Sequence, residues 1–261
     1  MTERKDEEIK KFVRDFYGSI AQSKGGSCCS SGCCGPSAEL SRARELYSEE
    51  ELDALSLDIN SLGCGNPVAT AAMKPGDVVL DLGSGAGLDC FLASQQVGPQ
   101  GKVIGLDMTP EMLHQARANA KKLSLENVEF RLGEMEHMPV DSNSVDVVIS
   151  NCVINLSPNK DSVFREIFRV LKPGGRLCVS DMVTHGELPE EIREDPTFWA
   201  GCIAGALDEE VYLDKIRAAG FAEPEVMNSV SSSCCDEPDC CGESPIASVI
   251  VKARKPQPPR L

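Results

Sequence analysis

The side chains most able to do chemistry in this chain are its cysteines, thirteen among 261 residues. Thiolates are soft ligands that select soft, thiophilic centres. Three cysteines stand singly in distinctive contexts. Cys64 lies in Leu62-Gly63-Cys64-Gly65-Asn66-Pro67, Cys152 in Ser150-Asn151-Cys152-Val153-Ile154-Asn155-Leu156, and Cys202 in Trp199-Ala200-Gly201-Cys202-Ile203-Ala204-Gly205-Ala206-Leu207. Eight more form two low-complexity clusters, Cys28-Cys29 with Cys33-Cys34 and Cys234-Cys235 with Cys240-Cys241. Such clusters do not resemble a disulfide framework, and in a reducing compartment they more often mean metal or redox chemistry. Cys29 and Cys33 have a spacing that structural zinc tolerates, but neither cluster contains a clean C-x-x-C. Cys90 and Cys178 fall in a predicted helix and a predicted strand and are expected to be buried.

A second constellation lies in Asp81-Leu82-Gly83-Ser84-Gly85-Ala86-Gly87. It follows a predicted strand and opens a predicted helix, so its glycines let a ligand approach the backbone at the carboxyl end of a sheet. The spacing is Gly-x-Gly-x-Gly, and a dinucleotide fingerprint would place its third glycine one residue later. Asp107 ends the next predicted strand, where a carboxylate can accept from both hydroxyls of a ribose. Glu134-Met135 follows the third strand, where a carboxylate and a thioether suit the amino group and face of an adenine ring. His114, His137 and His185 fall in helical or loop stretches and are expected at the surface.

These residues need a scaffold, and the chain shows one. Apolar runs at Val78–Leu82, Val103–Leu106, Val128–Leu132, Val145–Ser150 and Arg176–Ser180 read as strands. Helical stretches at Leu88–Val97, Pro110–Leu123 and Ser162–Leu171 alternate with them, the last stopped by Pro173-Gly174-Gly175. That alternation predicts a parallel sheet covered by helices on both faces. Ahead of it, residues 3–17 predict an amphipathic helix, Ser48 with Glu51 a capping box, and Asn66-Pro67 the start of a short helix to Met73. Behind it, 195–205 and 208–219 predict two helices, and 225–230 and 246–252 two late strands. Acidic residues outnumber basic ones 41 to 26, for a formal charge of -15. That argues against nucleic acid and anionic membrane surfaces as partners. The charged start, Thr2 to Lys11, does not read as a secretory signal, and no apolar run spans a bilayer, so the expected location is the cytoplasm.

The motifs Val79 to Gly87, Asp107, Glu134 and Leu171-Lys172-Pro173-Gly174-Gly175 resemble those of class I S-adenosylmethionine methyltransferases. The resemblance covers roughly residues 66–182. It implies an α/β, Rossmann-like fold with a mostly parallel seven-stranded sheet whose last strand is antiparallel. It also implies a cofactor site formed by Asp81, Gly83, Ser84, Gly85, Asp107, Met108, Glu134, Met135 and Asn151. Gly63-Cys64-Gly65, Ser150 to Leu156 and Gly201-Cys202-x-x-Gly205-Ala206-Leu207, with Tyr17-Gly18 upstream, are similar to the arsenite methyltransferase family over nearly the whole chain. That similarity implies that Cys152 and Cys202 hold trivalent arsenic and that Cys64 joins them. It further implies a redox thiol in the N-terminal loop. Cys28, Cys29, Cys33 and Cys34 compete for that place, with Cys33 and Cys34 carried as candidates. The implied partners are arsenite, methylarsenite and a thiol reductant, of thioredoxin type or glutathione-like. The family's catalytic set assigns no role to Cys234, Cys235, Cys240 or Cys241.

The implied organisation is an N-terminal helical and cysteine-loop segment (1–60), a cofactor-binding core (61–182) and a C-terminal region with Cys202 and the final strands (183–261). Two other readings compete. A methyltransferase acting on a quinone-like acceptor needs a base or a large apolar pocket and leaves Cys152 and Cys202 unexplained. A thiol-rich, non-enzymatic metal- or metalloid-binding protein on a disused cofactor fold would draw on the paired cysteines, which lack a clean C-x-x-C.

Overall fold

The computed structural model describes residues 3–22, 43–55, 59, 61–231 and 246–258. Both cysteine clusters, Cys33 and Cys34 included, lie outside the described residues.

The alternating middle of the chain forms β1 (Val78–Leu82), α4 (Leu88–Val97), β2 (Lys102–Asp107), α5 (Pro110–Lys122), β3 (Val128–Leu132), β4 (Val145–Asn151), α6 (Lys160–Val170) and β5 (Leu171–Thr184). Before it stand α1 (Glu3–Gln22), α2 (Glu49–Leu55) and α3 (Pro67–Thr70). After it come α7 (Glu190–Glu194), α8 (Pro196–Ala200), β6 (Leu207–Asp208), α9 (Glu209–Ala218), β7 (Ala222–Ser231) and β8 (Ile246–Arg254). The sheet runs β3-β2-β1-β4-β5-β8-β7, and the two-residue β6 pairs with β5 off that path. Pairs among β1 to β5 are parallel, while β8 is antiparallel to both β5 and β7. The fold is therefore the expected class I arrangement, with a short eighth strand added. Because β8 pairs with β5 from Arg176 to Thr184, the final strands complete the same sheet as the core.

Burial on both faces explains why the parallel strands are nearly all apolar. One face packs Phe164, Ile167, Tyr212 and Ile216 from α6 and α9. The other packs Phe91, Leu92, Leu113 and Ala116 from α4 and α5. A third apolar cluster joins Ile9 and Val13 of α1 to Trp199, Met182, Cys152 and Cys202.

Local chemistry sets several boundaries as expected. Ser48 N donates to Glu51 Oε2 (2.9 Å) and Glu51 N to Ser48 Oγ (3.2 Å), a reciprocal box at the start of α2. Asn66 Oδ1 accepts from Ala69 N at 3.0 Å, with Pro67 opening α3. Other expectations are corrected. α3 stops at Thr70 rather than Met73, and Ala72 beyond it takes a positive φ of 51°. The helix expected over 195–205 ends at Ala200, where the amides of Ile203 and Ala204 turn back to Phe198 O. Pro173-Gly174-Gly175 lies within β5, at an irregular register against β4, instead of separating helix from strand.

Candidate active site

Strand order reverses between β1 and β4, and in open α/β sheets ligands collect outside the carboxyl ends of the strands at such a point. A cavity of about 580 Å³ opens there, lined by Gly83, Ser84, Gly85, Asp107, Met108, Met135 and Asn151, and covered by Lys10, Val13 and Tyr17 of α1. Gly83, Gly85 and Gly87 have φ values of +65°, +51° and +99°, the region that L side chains rarely adopt. At Gly83 a Cβ would also lie 2.4 Å from Val153, so the loop after β4 packs directly on the glycine loop. Asp107 joins the two turns: Oδ2 accepts from Gly85 N (2.9 Å) and Oδ1 from Thr109 N (2.8 Å). Each oxygen keeps a further lone pair for a ligand.

The three single cysteines come together at the neighbouring edge of this cavity. Cys152 directly follows β4 and lines the cavity itself. Its amide donates to Ser180 O at 2.7 Å. Cys202 directly follows Gly201, the cap of α8, and its Sγ donates to Cys152 O at 2.6 Å. Cys64 Sγ lies 3.4 Å from Ser180 Oγ in a hydrogen bond. Thiol contacts run from Cys64 to Cys152 and from Cys152 to Cys202. The hydrogen bond to Cys152, then burial, pushes the Cys64 thiol well above its usual range; for Cys152 the leading cause is its bond to Cys202. Cys152 and Cys202 both hold left-handed backbone, φ +60° and +62°. Such strain costs about 1–2 kcal/mol per residue in an L amino acid. Among the described residues no set of His, Cys, Asp and Glu side chains has the geometry of a metal-ion site. Cys152 and Cys202 share one apolar cluster, and Cys64 packs against it.

Residues 73–220 match a methyltransferase domain family. The chain is 45% identical, over 98% of its length, to an arsenite methyltransferase of Halobacterium salinarum, 69% of which is covered. An arsenite methyltransferase of Aquipseudomonas alcaligenes is 36% identical over 93% of this chain and 68% of its own. The chain belongs to the arsenite methyltransferase family. Among solved structures, an arsenic(III) S-adenosylmethionine methyltransferase from Chlamydomonas reinhardtii superposes with a TM-score of 0.66 at 34% identity, covering 85% of this chain and 74% of that one.

The cavity suits the cofactor of an S-adenosylmethionine-dependent arsenite methyltransferase. Three carboxylates line it, the buried Asp81 and Asp89 and the half-buried Asp107. None of them is in an ion pair among the described residues. Burial raises all three, Asp89 to about 6. Such a group is relieved by a cationic ligand, and S-adenosylmethionine carries a sulfonium and an ammonium. The buried Ser84 Oγ has no partner among the described residues, a further polar atom left for a ligand.

Glu134 does not line this cavity. Its carboxylate is held by Lys10 Nζ (2.8 Å) and Arg14 Nη2 (3.7 Å) of α1, so an adenine amino group would compete there with two cations. Met135 and the buried Glu136 line the cavity instead. Asn151 lines it too, but every polar atom of its side chain is already engaged. Nδ2 donates to Gly65 O (2.7 Å), Tyr47 OH (3.0 Å) and Asp89 Oδ2 (3.1 Å). Oδ1 accepts from Cys64 N (3.0 Å) and Gly65 N (3.3 Å). Asn151 therefore ties the Cys64 turn to the cofactor cavity. Tyr47, Asp89 and Ser180 have no motif of their own in the sequence. The one signal available for Asp89 is its place at the second position of the helix that the glycine loop opens. His114, His137 and His185 are exposed and Cys90 and Cys178 buried, as expected. His114 also stands on the cavity lining.

Proposed function

We propose that this chain transfers the methyl group of S-adenosylmethionine to trivalent arsenic held by Cys64, Cys152 and Cys202. The reading rests on one observation: three thiols from distant segments meet beside the glycine-loop cavity, with Cys152 on its lining. When bound, the cofactor supplies an electrophilic methyl on a sulfonium. Gly83, Ser84, Gly85 and Asp107 would hold it, with Met108 and Met135 on the same lining and the carboxylates of Asp81 and Asp89 there to balance its charge. Soft thiolates take arsenic in preference to hard centres, and pyramidal arsenic keeps a lone pair that attacks the methyl directly. No general base is required. Cys202 Sγ, which donates to Cys152 O, exchanges that bond for one to arsenic. Holding arsenic in line supplies rate through proximity and orientation, and α1 with the apolar cluster around Trp199 keeps water away.

Methyl transfer formally oxidises arsenic by two electrons. A thiol pair restores the trivalent state by closing a disulfide, with Cys33 or Cys34 as candidate partner, and an external dithiol reopens it. In this reading 61–182 are the cofactor-binding core, 1–60 contribute the covering helix and the redox loop, and 183–261 contribute Cys202 and the closing strands. Among the described residues no helix is long and apolar enough to cross a membrane.

The test is turnover of arsenite with S-adenosylmethionine and a non-thiol reductant, with arsenicals separated by chromatography. The expected result is methylated arsenic and an equal amount of S-adenosylhomocysteine. Cofactor binding without arsenite-dependent turnover would overturn the proposal.

A further inference from the structure

Asn151 ends β4 and stands next to Cys152 in the chain, so the two backbones are placed together. Its carboxamide reaches the Cys64 turn. Oδ1 accepts from Cys64 N and Gly65 N, at 3.0 and 3.3 Å, and Nδ2 donates to Gly65 O at 2.7 Å. A Cβ at Gly63 would lie 2.3 Å from that Nδ2, so the turn closes down on the carboxamide. A Cβ at Gly65 would lie 2.3 Å from Ser180 Oγ. Three anchors thus hold Cys64. Asn151 takes its amide, Ser248 Oγ donates to its carbonyl (2.8 Å), and Ser180 Oγ bonds its Sγ (3.4 Å). The carboxamide is itself fixed from behind. Nδ2 meets Tyr47 OH (3.0 Å) and Asp89 Oδ2 (3.1 Å), and Tyr47 OH donates to Asp89 Oδ1 (2.7 Å).

We propose that Asn151 is the positioning residue of the third thiol: its carboxamide aims Cys64 at the arsenic and so favours arsenite, which offers the protein three bonds, over methylarsenite, which offers two. The inference rests on the three-thiol reading. Each arsenic–sulfur bond forms as a thiol proton leaves with an arsenic hydroxyl as water. The third such bond closes within a complex already held by two, so its strength depends on how well Cys64 is oriented. The other two thiols do not use the carboxamide. Cys152 N donates to Ser180 O at 2.7 Å, and Cys202 Sγ to Cys152 O at 2.6 Å. Removing the carboxamide therefore frees Cys64 and leaves Cys152 and Cys202 their own bonds. The turn asks one short side chain to accept from two amides and donate to a carbonyl, and a carboxamide does both. An aspartate would keep the acceptor, lose the donor and set a second carboxylate beside Asp89. With its polar atoms engaged inside the protein, Asn151 serves the cofactor cavity as wall and the thiol site as aim.

The test reads binding rather than turnover, in a non-thiol reductant. Trp199 is the single tryptophan of the chain and shares an apolar cluster with Cys152 and Cys202, so its fluorescence reports each arsenical. In Asn151→Ala the arsenite dissociation constant is expected to rise about ten- to thirtyfold and that of methylarsenite by no more than about threefold. Arsenic X-ray absorption on the arsenite complex should show three sulfur ligands in the parent and two in the variant. Adding Asn151→Ala to Cys64→Ser should weaken arsenite by no more than about twofold beyond Cys64→Ser alone, because a positioning residue has nothing left to aim. Gly63→Ala, which drives a methyl group into Asn151 Nδ2, should show the same split between arsenicals, and it decides the matter if Asn151→Ala does not fold. Parent-like arsenite binding in a folded variant, both arsenicals weakening in step, or three sulfurs retained overturns the proposal. Cys64→Ser distinguishes the two levels of failure. If it binds arsenite as the parent does, the three-thiol reading falls and this inference with it. If it weakens arsenite while Asn151→Ala and Gly63→Ala do not, only the role of Asn151 falls.

Discussion

The two halves of the site are built in opposite ways. The cofactor side is local. Ser84 N reaches Leu106 O at 3.0 Å and Gly85 N reaches Asp107 at 2.9 Å, so two adjacent strand ends, 22 residues apart, make the cradle. The thiol side is remote. The bond from Cys202 to Cys152 crosses 50 residues, that from Asn151 to the Cys64 amide 87, and that from Cys64 to Ser180 116. Hydrogen bonds between neighbouring turns form once the two strands pair. A cluster that collects side chains across such separations must wait for the whole sheet to close, and it carries backbone strain at Cys152 and Cys202 that only surrounding contacts can hold. The lesson is that binding of a common cofactor is written in contiguous motifs, while substrate choice is written in contacts between them.

Mutations on the two sides should therefore fail differently. The largest effect is expected from Cys152→Ser, since Cys152 touches both other thiols and lines the cavity. A hydroxyl is a hard ligand, so turnover of arsenite and of methylarsenite should each fall by about three orders of magnitude, roughly 4 kcal/mol in barrier. Cofactor affinity, measured by calorimetry, should remain near the parent value. Retained turnover of either substrate would break the comparison. Next in size is Cys64→Ser. Trivalent arsenic makes three bonds and methylarsenite has two left for the protein, so Cys64 matters chiefly for the unmethylated species. Arsenite turnover should drop by about two orders of magnitude, roughly 2.7 kcal/mol, with methylarsenite turnover spared in a non-thiol reductant. Equal loss of both would show that two thiols do not suffice for the second substrate.

On the cofactor side, Asp107→Ala should raise the S-adenosylmethionine dissociation constant about ten- to a hundredfold, because a charge-assisted hydrogen bond contributes about 1.5–3 kcal/mol. Calorimetry on a variant shown to be folded by circular dichroism checks it, and unchanged affinity would remove Asp107 from the site. The smallest effect is expected from replacing Cys234, Cys235, Cys240 and Cys241 together by Ser. These residues lie outside the motifs that match the family, and arsenite turnover should stay within a few-fold, about 1 kcal/mol. A hundredfold loss would place them in substrate delivery or in a structural metal site.

Much of the molecule was legible before any coordinates. The alternation of apolar runs and helical stretches determined the parallel sheet. Gly83, Gly85 and Asp107 marked the cofactor end of it. Ser48 with Glu51 and Asn66 with Pro67 marked helix starts, because each of these signals acts through bonds to residues a few positions away. Cys64, Cys152 and Cys202 were separable from the clustered cysteines by context. Tertiary structure decided the rest. It paired Glu134 with Lys10 and Arg14, since a carboxylate goes to the nearest cations and Lys10 lies on a helix 124 residues earlier. It made Asn151 a tie between the Cys64 turn and Asp89, and it bonded the buried Asp181 to Tyr212. Those roles depend on burial and on charges summed over distant segments, and neither quantity exists in a chain until the sheet has closed around it.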